Sequence, residues 1–207
     1  ARLLVTPSVL VVNSNTPART FVEFIDYAKK NPGKLRYSST GIASFVHYDM
    51  EMLAKRHKLD MIHIPYKGGA GEAIKGLVSG DVNVGTTNSV LGISLSQSGA
   101  IHLIATNMPH RLAMLPDVPT FTELGYPEQG TLNWSALFAP AGTPPDIVKT
   151  LHAAFTDALK DPNIVEQAEK TGTFTFGVES PEATVKFVKD EMTKWRRIVS
   201  EIKIEMN

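Results

Sequence analysis

The feature that most constrains the fold of this chain is a regular alternation of short apolar strand patterns with amphipathic helix patterns. The strand patterns lie at residues 34–39, 60–66, 81–86 and 100–106. Capping and turn residues separate the segments, such as the capping-box pair Thr20 and Glu23 and the helix-ending Gly80. Such alternation is typical of an α/β fold in which helices cover both faces of a parallel or mixed sheet.

The two ends of the chain carry a different pattern. Residues 3–13 are apolar and β-branched, are interrupted at Pro7, and are expected to form one bent strand. A turn-rich segment with a second capping box at Thr120 and Glu123 leads to an extended run over residues 132–139. Helix starts are expected at residues 143–146 and 180–182, and a short strand is expected over residues 173–178. These strands are too few for a sheet of their own.

Composition argues against several classes of protein. The 21 Lys and Arg balance the 21 Asp and Glu, so no basic excess indicates binding to a nucleic acid. The chain has no Cys and its six His show no metal-ligand spacing, which argues against disulfides and metal centres. No acid–base or nucleophile pair emerges, so we expect no enzyme activity, no catalytic residue and no cofactor. No apolar stretch approaches the roughly 18 residues of a membrane span, so we expect no direct membrane insertion.

Three loops follow the carboxyl ends of predicted strands and carry small polar residues, and in open α/β sheets ligands bind at that edge. The first loop offers several hydroxyls and a flexible glycine before a helix amino terminus, an arrangement that suits an anion. The same residues could instead cap a helix or complete a turn. The candidate ligand-binding residues of the three loops are Ser38, Ser39, Thr40, Gly41, Ser44, Tyr66, Thr86, Thr87 and Asn88.

Several sequence blocks, in this order, carry a resemblance to a known family. The blocks are residues 37–44 (YSSTGIAS) followed by His47, then 64–68 (IPYKG), 80–82 (GDV), 115–120 (LPDVPT), 123–125 (ELG) and 138–144 (FAPAGTP). They resemble the Bug family, the extracytoplasmic solute receptors of tripartite tricarboxylate transporters. The resemblance runs from about Pro7 into the final helix.

The resemblance implies a type II periplasmic-binding-protein fold, in which a small carboxylate is captured between two α/β lobes. The receptor would lie in the periplasm and deliver its ligand to membrane transporter subunits. Family members hold the carboxylate through backbone amides, hydroxyls and water at these loops. The resemblance adds His47, Lys67 and Gly68 to the candidate residues, although His47 could equally pack inside the helix layer and Lys67 could be a solvated surface lysine.

The resemblance also sets expectations for the domains. Residues 8–131 are expected to form a near-complete second lobe, with residues 1–7 and 132–207 as crossover strands and the carboxyl-terminal part of a first lobe whose amino-terminal part is absent. Apolar surface around Trp134, Phe138 and Phe174 is then expected to be exposed, and the chain to self-associate. The candidate site departs from the family pattern at Ser38 and Ala43, where relatives usually have glycine, and at Thr87, where many have Asp. A neutral Thr87 predicts a ligand without an ammonium group.

A second class of function shares this fold at similar length, the effector-binding domain of a LysR-type transcription regulator. A signal peptide encoded upstream would favour the receptor, and a winged-helix domain would favour the regulator. An enzyme on the same scaffold is the third possibility, and turnover of a candidate ligand would reveal it.

Overall fold

The computed structural model describes residues 1–175 and 179–204, which form two compact units. The small unit comprises Ala1–Thr6 and the described residues of 132–198, and the large unit comprises Pro7–Thr131 and residues 199–204. The elements in chain order are β1 (Arg2–Thr6), β2 (Ser8–Asn13), α1 (Phe21–Lys30), β3 (Leu35–Ser39), α2 (Phe45–His57), β4 (Met61–Pro65), α3 (Ala70–Ser79), β5 (Val84–Asn88), α4 (Ser89–Gln97), β6 (Ile101–Thr106), β7 (Asn133–Ala136), α5 (Pro145–Ala158), α6 (Pro162–Lys170), β8 (Phe174–Thr175) and α7 (Pro181–Glu201). The assignment of the two units to the lobes of a receptor stays a prediction.

The large unit is built on a five-stranded sheet in the order β4–β3–β5–β2–β6. Strand β3 runs parallel to β4 and β5, whereas β2 runs antiparallel to β5 and β6. The sheet is therefore mixed, with β2 as its one reversed strand. The carboxyl ends of β3, β4, β5 and β6 consequently lie at the same edge, beside the amino end of β2. We call this edge the carboxyl edge.

The single bent strand expected over residues 3–13 is instead two strands that belong to different sheets. Strand β1 pairs with β7 and β8 in the small unit, and β2 pairs with β5 and β6 in the large unit. Pro7 lies between them and has no N–H to donate to either ladder, so the pairing stops there.

Helix α1 forms as its sequence predicts. The Glu23 N–H donates to the Thr20 hydroxyl at 3.2 Å, and the Thr20 N–H donates to the Glu23 carboxylate at 3.2 Å, so the capping box is complete. Phe21 and Phe24 of the apolar face are buried in the core beneath the sheet, together with Tyr37 of β3. Burial of these rings removes a large apolar area from water, which is the main term that holds the layer in place.

The glycine that ends α3 and the second capping box are also confirmed, but no α-helix follows the capping box. Gly80 ends α3 with φ at 84°, the left-handed region that favours glycine. Thr120 and Glu123 make both hydrogen bonds of a capping box, at 3.1 and 3.4 Å, but they close a turn instead of starting an α-helix. The pattern predicts the local hydrogen bonds correctly even where no helix follows.

The small unit contains a three-stranded antiparallel sheet in the order β7–β1–β8, the helices α5 and α6, and residues 181–198 of α7. Helix α5 begins within the expected residues 143–146, but at Pro145 with Pro144 as its N-cap, and the Thr143 hydroxyl donates to the Pro140 carbonyl at 2.8 Å. Helix α6 was not predicted. Its signal is Asp161, which accepts from the Asn163 N–H at 2.8 Å and stands before a proline. Of the strand predicted over residues 173–178, β8 is described and residues 176–178 lie outside the described part.

Apolar side chains of the small unit are unusually exposed. Phe138 is 61% exposed, and Ile147 and Leu151 on the apolar face of α5 are 46% and 42% exposed. Trp134 and Phe174 are half-buried, and the Trp134 ring meets Phe187 edge-on at 5.2 Å, so the expected exposure holds for Phe138 and is wrong for these two. The self-association expected from such a surface stays a prediction that light scattering tests.

A buried carboxylate holds the end of the large unit to α2. Asp49 accepts from the Thr131 N–H and from the Thr131 hydroxyl, both at 2.8 Å. The Gln129 side chain donates to the Asp49 carbonyl at 2.7 Å, and the Asn107 amide donates to the Thr131 carbonyl at 2.6 Å. Residues 129–131 are therefore fixed on the large unit by hydrogen bonds that are screened from water.

We expect Asp49→Ala to lower the free energy of unfolding by about 3 kcal/mol, because two hydrogen bonds to a charged acceptor are lost and Thr131 is left buried without them. Asp26→Ala, on the exposed face of α1, is the matched control and should change the free energy by less than about 0.5 kcal/mol. Urea unfolding followed by circular dichroism measures both. Equal effects of the two substitutions would contradict this assignment.

Candidate functional site

The carboxyl edge brings together three loops that each lead into the amino terminus of a helix. The loops connect β3 to α2, β4 to α3 and β5 to α4. Tyr37 of β3 and Met50 of α2 belong to the same buried core cluster, whereas the neighbour Ser38 lies beside Gly85 and near Leu77 of α3. Since successive strand residues face opposite sides, α2 and α3 cover opposite faces of the sheet. The edge therefore has the crevice geometry at which α/β sheets bind ligands.

Residues 38–44, here called the serine loop, are held by internal hydrogen bonds centred on Ser39. The Ser39 hydroxyl donates to the Gly41 carbonyl at 2.9 Å and accepts from the Gly41 N–H at 3.2 Å. The same oxygen lies 2.6 Å from Nε2 of His63. The side chain is 1% exposed and its hydrogen-bonding capacity is fully used. Ser39 therefore stabilises the conformation of the loop, and its hydroxyl has no remaining proton to donate to a ligand.

Ser44 combines a structural role with a free donor. Its hydroxyl oxygen accepts from the His47 N–H at 3.3 Å and so caps α2, as the helix-cap alternative expects. The hydroxyl proton remains available. The N–H groups of Phe45 and Val46 in the first turn have no acceptor within the helix, and no side chain of the described residues accepts from them. With Thr40, half-buried in the same loop, these groups are donors suited to an anion.

The backbone of the serine loop is bent by two residues at positive φ. Gly41 has φ at 134°, and Ala43 has φ at 59°. A side chain is unfavourable in the left-handed region, so the serine loop is strained at Ala43. Here the Ala43 N–H donates to Nδ1 of His47 at 3.1 Å, and this bond stabilises the strained conformation.

The second loop uses its polar groups mostly for its own helix. The Gly68 N–H donates to the Glu72 carboxylate at 3.1 Å, and Lys67 is exposed. The Tyr66 hydroxyl lies directly over Gly76 of α3, where a Cβ would meet it. Burial and the nearby Asp81 carboxylate raise the pKa of Tyr66, so the ring stays neutral. Tyr66, a candidate ligand-binding residue, thus has its ring turned toward α3.

In the third loop, the strand register separates the three candidates. Thr86 lies on the same face as Ser39, while Thr87 is buried on the opposite face and its methyl group packs against Gly92. The Asn88 side chain accepts from the Leu91 N–H at 2.9 Å and caps α4. The helix-cap alternative therefore holds for Asn88, and Thr86 is the member of this loop that lies with the serine loop.

Sequence reasoning missed His63, which lies at the centre of this arrangement. Its ring stacks on His47 with centroids 3.7 Å apart and on Tyr37 at 4.9 Å. Burial and the adjacent His47 lower the pKa of His63 to about 4. Burial also lowers the pKa of His47, and the Glu51 carboxylate partly opposes that shift. The alternation of strand 60–66 could have placed His63 on the face of Tyr37, but only with knowledge that β3 and β4 pair.

Residues 1–175 and 179–204 contain no group of three or more His, Asp or Glu side chains placed to hold a metal ion. In the same residues, no helix combines the length and apolar character needed to cross a membrane.

Comparison with solved structures defines the class of protein. The structure of a periplasmic transporter superimposes on this chain with a TM-score of 0.85 at 31% identity, covering 100% of this chain and 68% of that chain. The periplasmic binding protein BugD superimposes with a TM-score of 0.83 at 27% identity, covering 100% and 69%. The chain has the α/β fold of periplasmic binding proteins, which confirms the expected fold class.

Comparison of sequences shows the family. The tripartite tricarboxylate transporter family receptor (TctC) family matches residues 1–204. A UPF0065 protein from the tcbD–tcbE intergenic region of Pseudomonas sp. (strain P51) is 31% identical over 202 residues, 97% of this chain and 60% of that protein. BugT of Bordetella pertussis is 31% identical over 195 residues, which cover 94% of this chain and 59% of BugT. The chain belongs to the tripartite tricarboxylate transporter receptor family, and it spans about 60% of the length of these relatives.

Two similar structures hold a small carboxylate. The R. palustris protein Rpa4515 with adipate has a TM-score of 0.83 at 25% identity, covering 98% of this chain and 67% of that chain. MatC from Rhodopseudomonas palustris with bound malate has a TM-score of 0.77 at 27% identity, covering 96% and 68%.

We expect Gly85→Ala to lower the free energy of unfolding by about 1–3 kcal/mol, because a buried side chain is overpacked. The new Cβ would lie 2.5 Å from the Ser38 hydroxyl oxygen but 3.9 Å from the Ser38 Cβ. Adding Ser38→Ala should therefore recover most of the loss. Gly71→Ala on α3, where a Cβ meets nothing within 4 Å, is the control and should be neutral or stabilising. Thermal unfolding measures wild type, Gly85→Ala, Ser38→Ala, the double variant and Gly71→Ala, and losses of the two single variants that simply add in the double variant would contradict the contact.

Proposed function

We propose that the protein is an extracytoplasmic solute-binding receptor that captures a small carboxylate and delivers it to the membrane subunits of a tripartite tricarboxylate-type transporter. The single observation that carries this proposal is the group of free donors at the amino terminus of α2. The Ser44 hydroxyl and the amides of Phe45 and Val46 converge there, on a helix of 13 residues.

The chemistry of these donors favours an anion of modest size. The positive end of the α2 dipole adds to the N–H groups, and no basic side chain is required. A hydrogen bond to a charged group contributes about 1.5–3 kcal/mol, so three of them approach the roughly 8 kcal/mol of micromolar affinity before the cost of association. Reversible capture of this strength suits a protein that must later release its ligand.

The proposed ligand-binding residues differ in how close to the ligand they are expected to lie. Thr40, Gly41, Ser44 and Thr86 are expected to face the ligand, with Ser39 and His47 behind them. Tyr66, Lys67 and Gly68 at the end of β4, and Ser38, Thr87 and Asn88 beside β5, are expected to shape the rim of the site.

The comparisons support a receptor that acts in the periplasm and carries out no catalysis. The family is one of transporter receptors, and BugD is a periplasmic binding protein. The structures with adipate and malate support a dicarboxylate as the ligand class. Because the family match spans residues 1–204, it favours the receptor over the effector-binding domain of a LysR-type regulator.

We expect Ser44→Ala in the full-length protein to weaken adipate binding about tenfold, because one hydrogen bond to the carboxylate is lost. Thr20→Ala is the matched control. It removes the equivalent cap of α1, at the edge of the sheet opposite the carboxyl edge, and should leave affinity unchanged. Isothermal titration calorimetry with adipate and malate measures both. A wild-type protein that binds neither acid and no other small carboxylate would overturn the proposed function.

We expect plain dicarboxylates such as adipate to bind at least about tenfold more tightly than aspartate or glutamate. An ammonium group needs a carboxylate or carbonyl partner in the site, and Thr87 is neutral and buried against Gly92. Competition calorimetry compares the two ligand classes directly. Tight binding of aspartate with no binding of adipate or malate would show that this inference from Thr87 is wrong.

A further inference from the structure

Behind the serine loop, two histidines form a stacked pair that faces the backbone of the loop. His47 of α2 and His63 of β4 have ring centroids 3.7 Å apart with planes 23° apart. Tyr37 of β3 stacks on the other side of His63, at 4.9 Å and 18°. The Tyr37 hydroxyl donates to the Glu51 carboxylate. The pair is therefore fixed by three different elements of the large unit.

Each histidine holds one group of the serine loop. Nδ1 of His47 accepts from the Ala43 N–H at 3.1 Å, so this nitrogen must be unprotonated. Nε2 of His63 lies 2.6 Å from the Ser39 hydroxyl, which already donates to the Gly41 carbonyl, so His63 is the donor in this bond. Both contacts are satisfied when both rings are neutral, with the proton of His63 on Nε2.

Protonation would break this arrangement at His47. A proton on Nδ1 removes the acceptor of the Ala43 N–H, and Ala43 then has little to hold it at a φ of 59°. A charge on either ring would also face its stacked neighbour across 3.7 Å, with His47 buried and His63 half-buried. The other titratable groups that face the pair are Tyr37, which burial and Glu51 keep neutral, and Glu51 itself, 4.0 Å from Nε2 of His47.

We propose that His47 and His63 are positioning residues that, in their neutral forms, hold the serine loop in its ligand-binding conformation and so make carboxylate affinity fall with acidification. This role rests on the proposed carboxylate receptor function and gives that site a pH dependence. It assigns to His47 a contact with the loop backbone instead of a contact with the ligand. With the pKa of His63 at about 4 and that of His47 below its ordinary value, the loop is held at neutral pH and is released as the pH falls through the His47 pKa.

The test is the affinity of the full-length protein for adipate at about pH 7.5 and pH 5, measured by calorimetry. His47→Phe keeps a ring for stacking but removes the acceptor, and should weaken binding about tenfold at pH 7.5. His47→Asn places an oxygen near the position of Nδ1 that does not titrate. His47→Asn should restore most of that affinity. Between pH 7.5 and pH 5, its affinity for adipate should fall by a factor at least about fivefold smaller than that of wild type. His102→Gln, at the opposite edge of the sheet, is the control and should behave as wild type. Protonation of adipate itself affects all four proteins alike.

A readout without ligand separates this inference from the proposed function. In amide NMR spectra the signals of Gly41 and Ala43 should titrate with the His47 ring in wild type and should stop doing so in His47→Asn. If the protein binds no dicarboxylate but these amides titrate as described, the positioning role stands and the proposed function fails. If adipate binds and neither His47 substitution changes its affinity or pH dependence, the positioning role is overturned and the proposed function stands.

Discussion

The parallel pairing of β3 with β4 and β5 is the constraint on which the candidate site depends. Because parallel strands end at the same edge, this pairing puts the amino termini of α2, α3 and α4 side by side. Strand β3 lies between its two partners. This position places α2 and α3 on opposite faces of the sheet and opens the crevice above the strand ends. The reversed strand β2 completes the sheet, and the Ser8 N–H at its amino end donates to the side chain of Asn107 at 2.9 Å.

Within that crevice, the polar groups divide between those that build the loops and those left for a ligand. Ser39, Asn88 and Glu72 use their side chains to close a turn or cap a helix. The Ser44 hydroxyl proton and the first amides of α2 remain available. Recognition by neutral donors agrees with a chain whose 21 basic and 21 acidic residues cancel. In the proposed receptor, such a site would hold a carboxylate through geometry, so the rigidity of the serine loop would matter more than net charge.

Local chemistry made the helices and turns predictable from the sequence, whereas pairing between distant segments did not. The Thr20–Glu23 box, the Ser44 cap and Gly80 each act within a few residues, and all three form as their sequence indicates. The split at Pro7, the reversal of β2 and the partnership of His63 with Ser39 depend on which strands meet. Residues in one loop can also face opposite sides of the sheet, as Thr86 and Thr87 do, and only the register decides this.

The most direct test of the proposed site is a crystal structure of the full-length protein with adipate. We expect one carboxylate of adipate at the amino terminus of α2, with its oxygens about 2.8–3.0 Å from the Phe45 and Val46 nitrogens and the Ser44 hydroxyl. Ser39 would keep its bonds to Gly41 and His63. A carboxylate held instead by lysine or arginine side chains, or bound away from the serine loop, would contradict it.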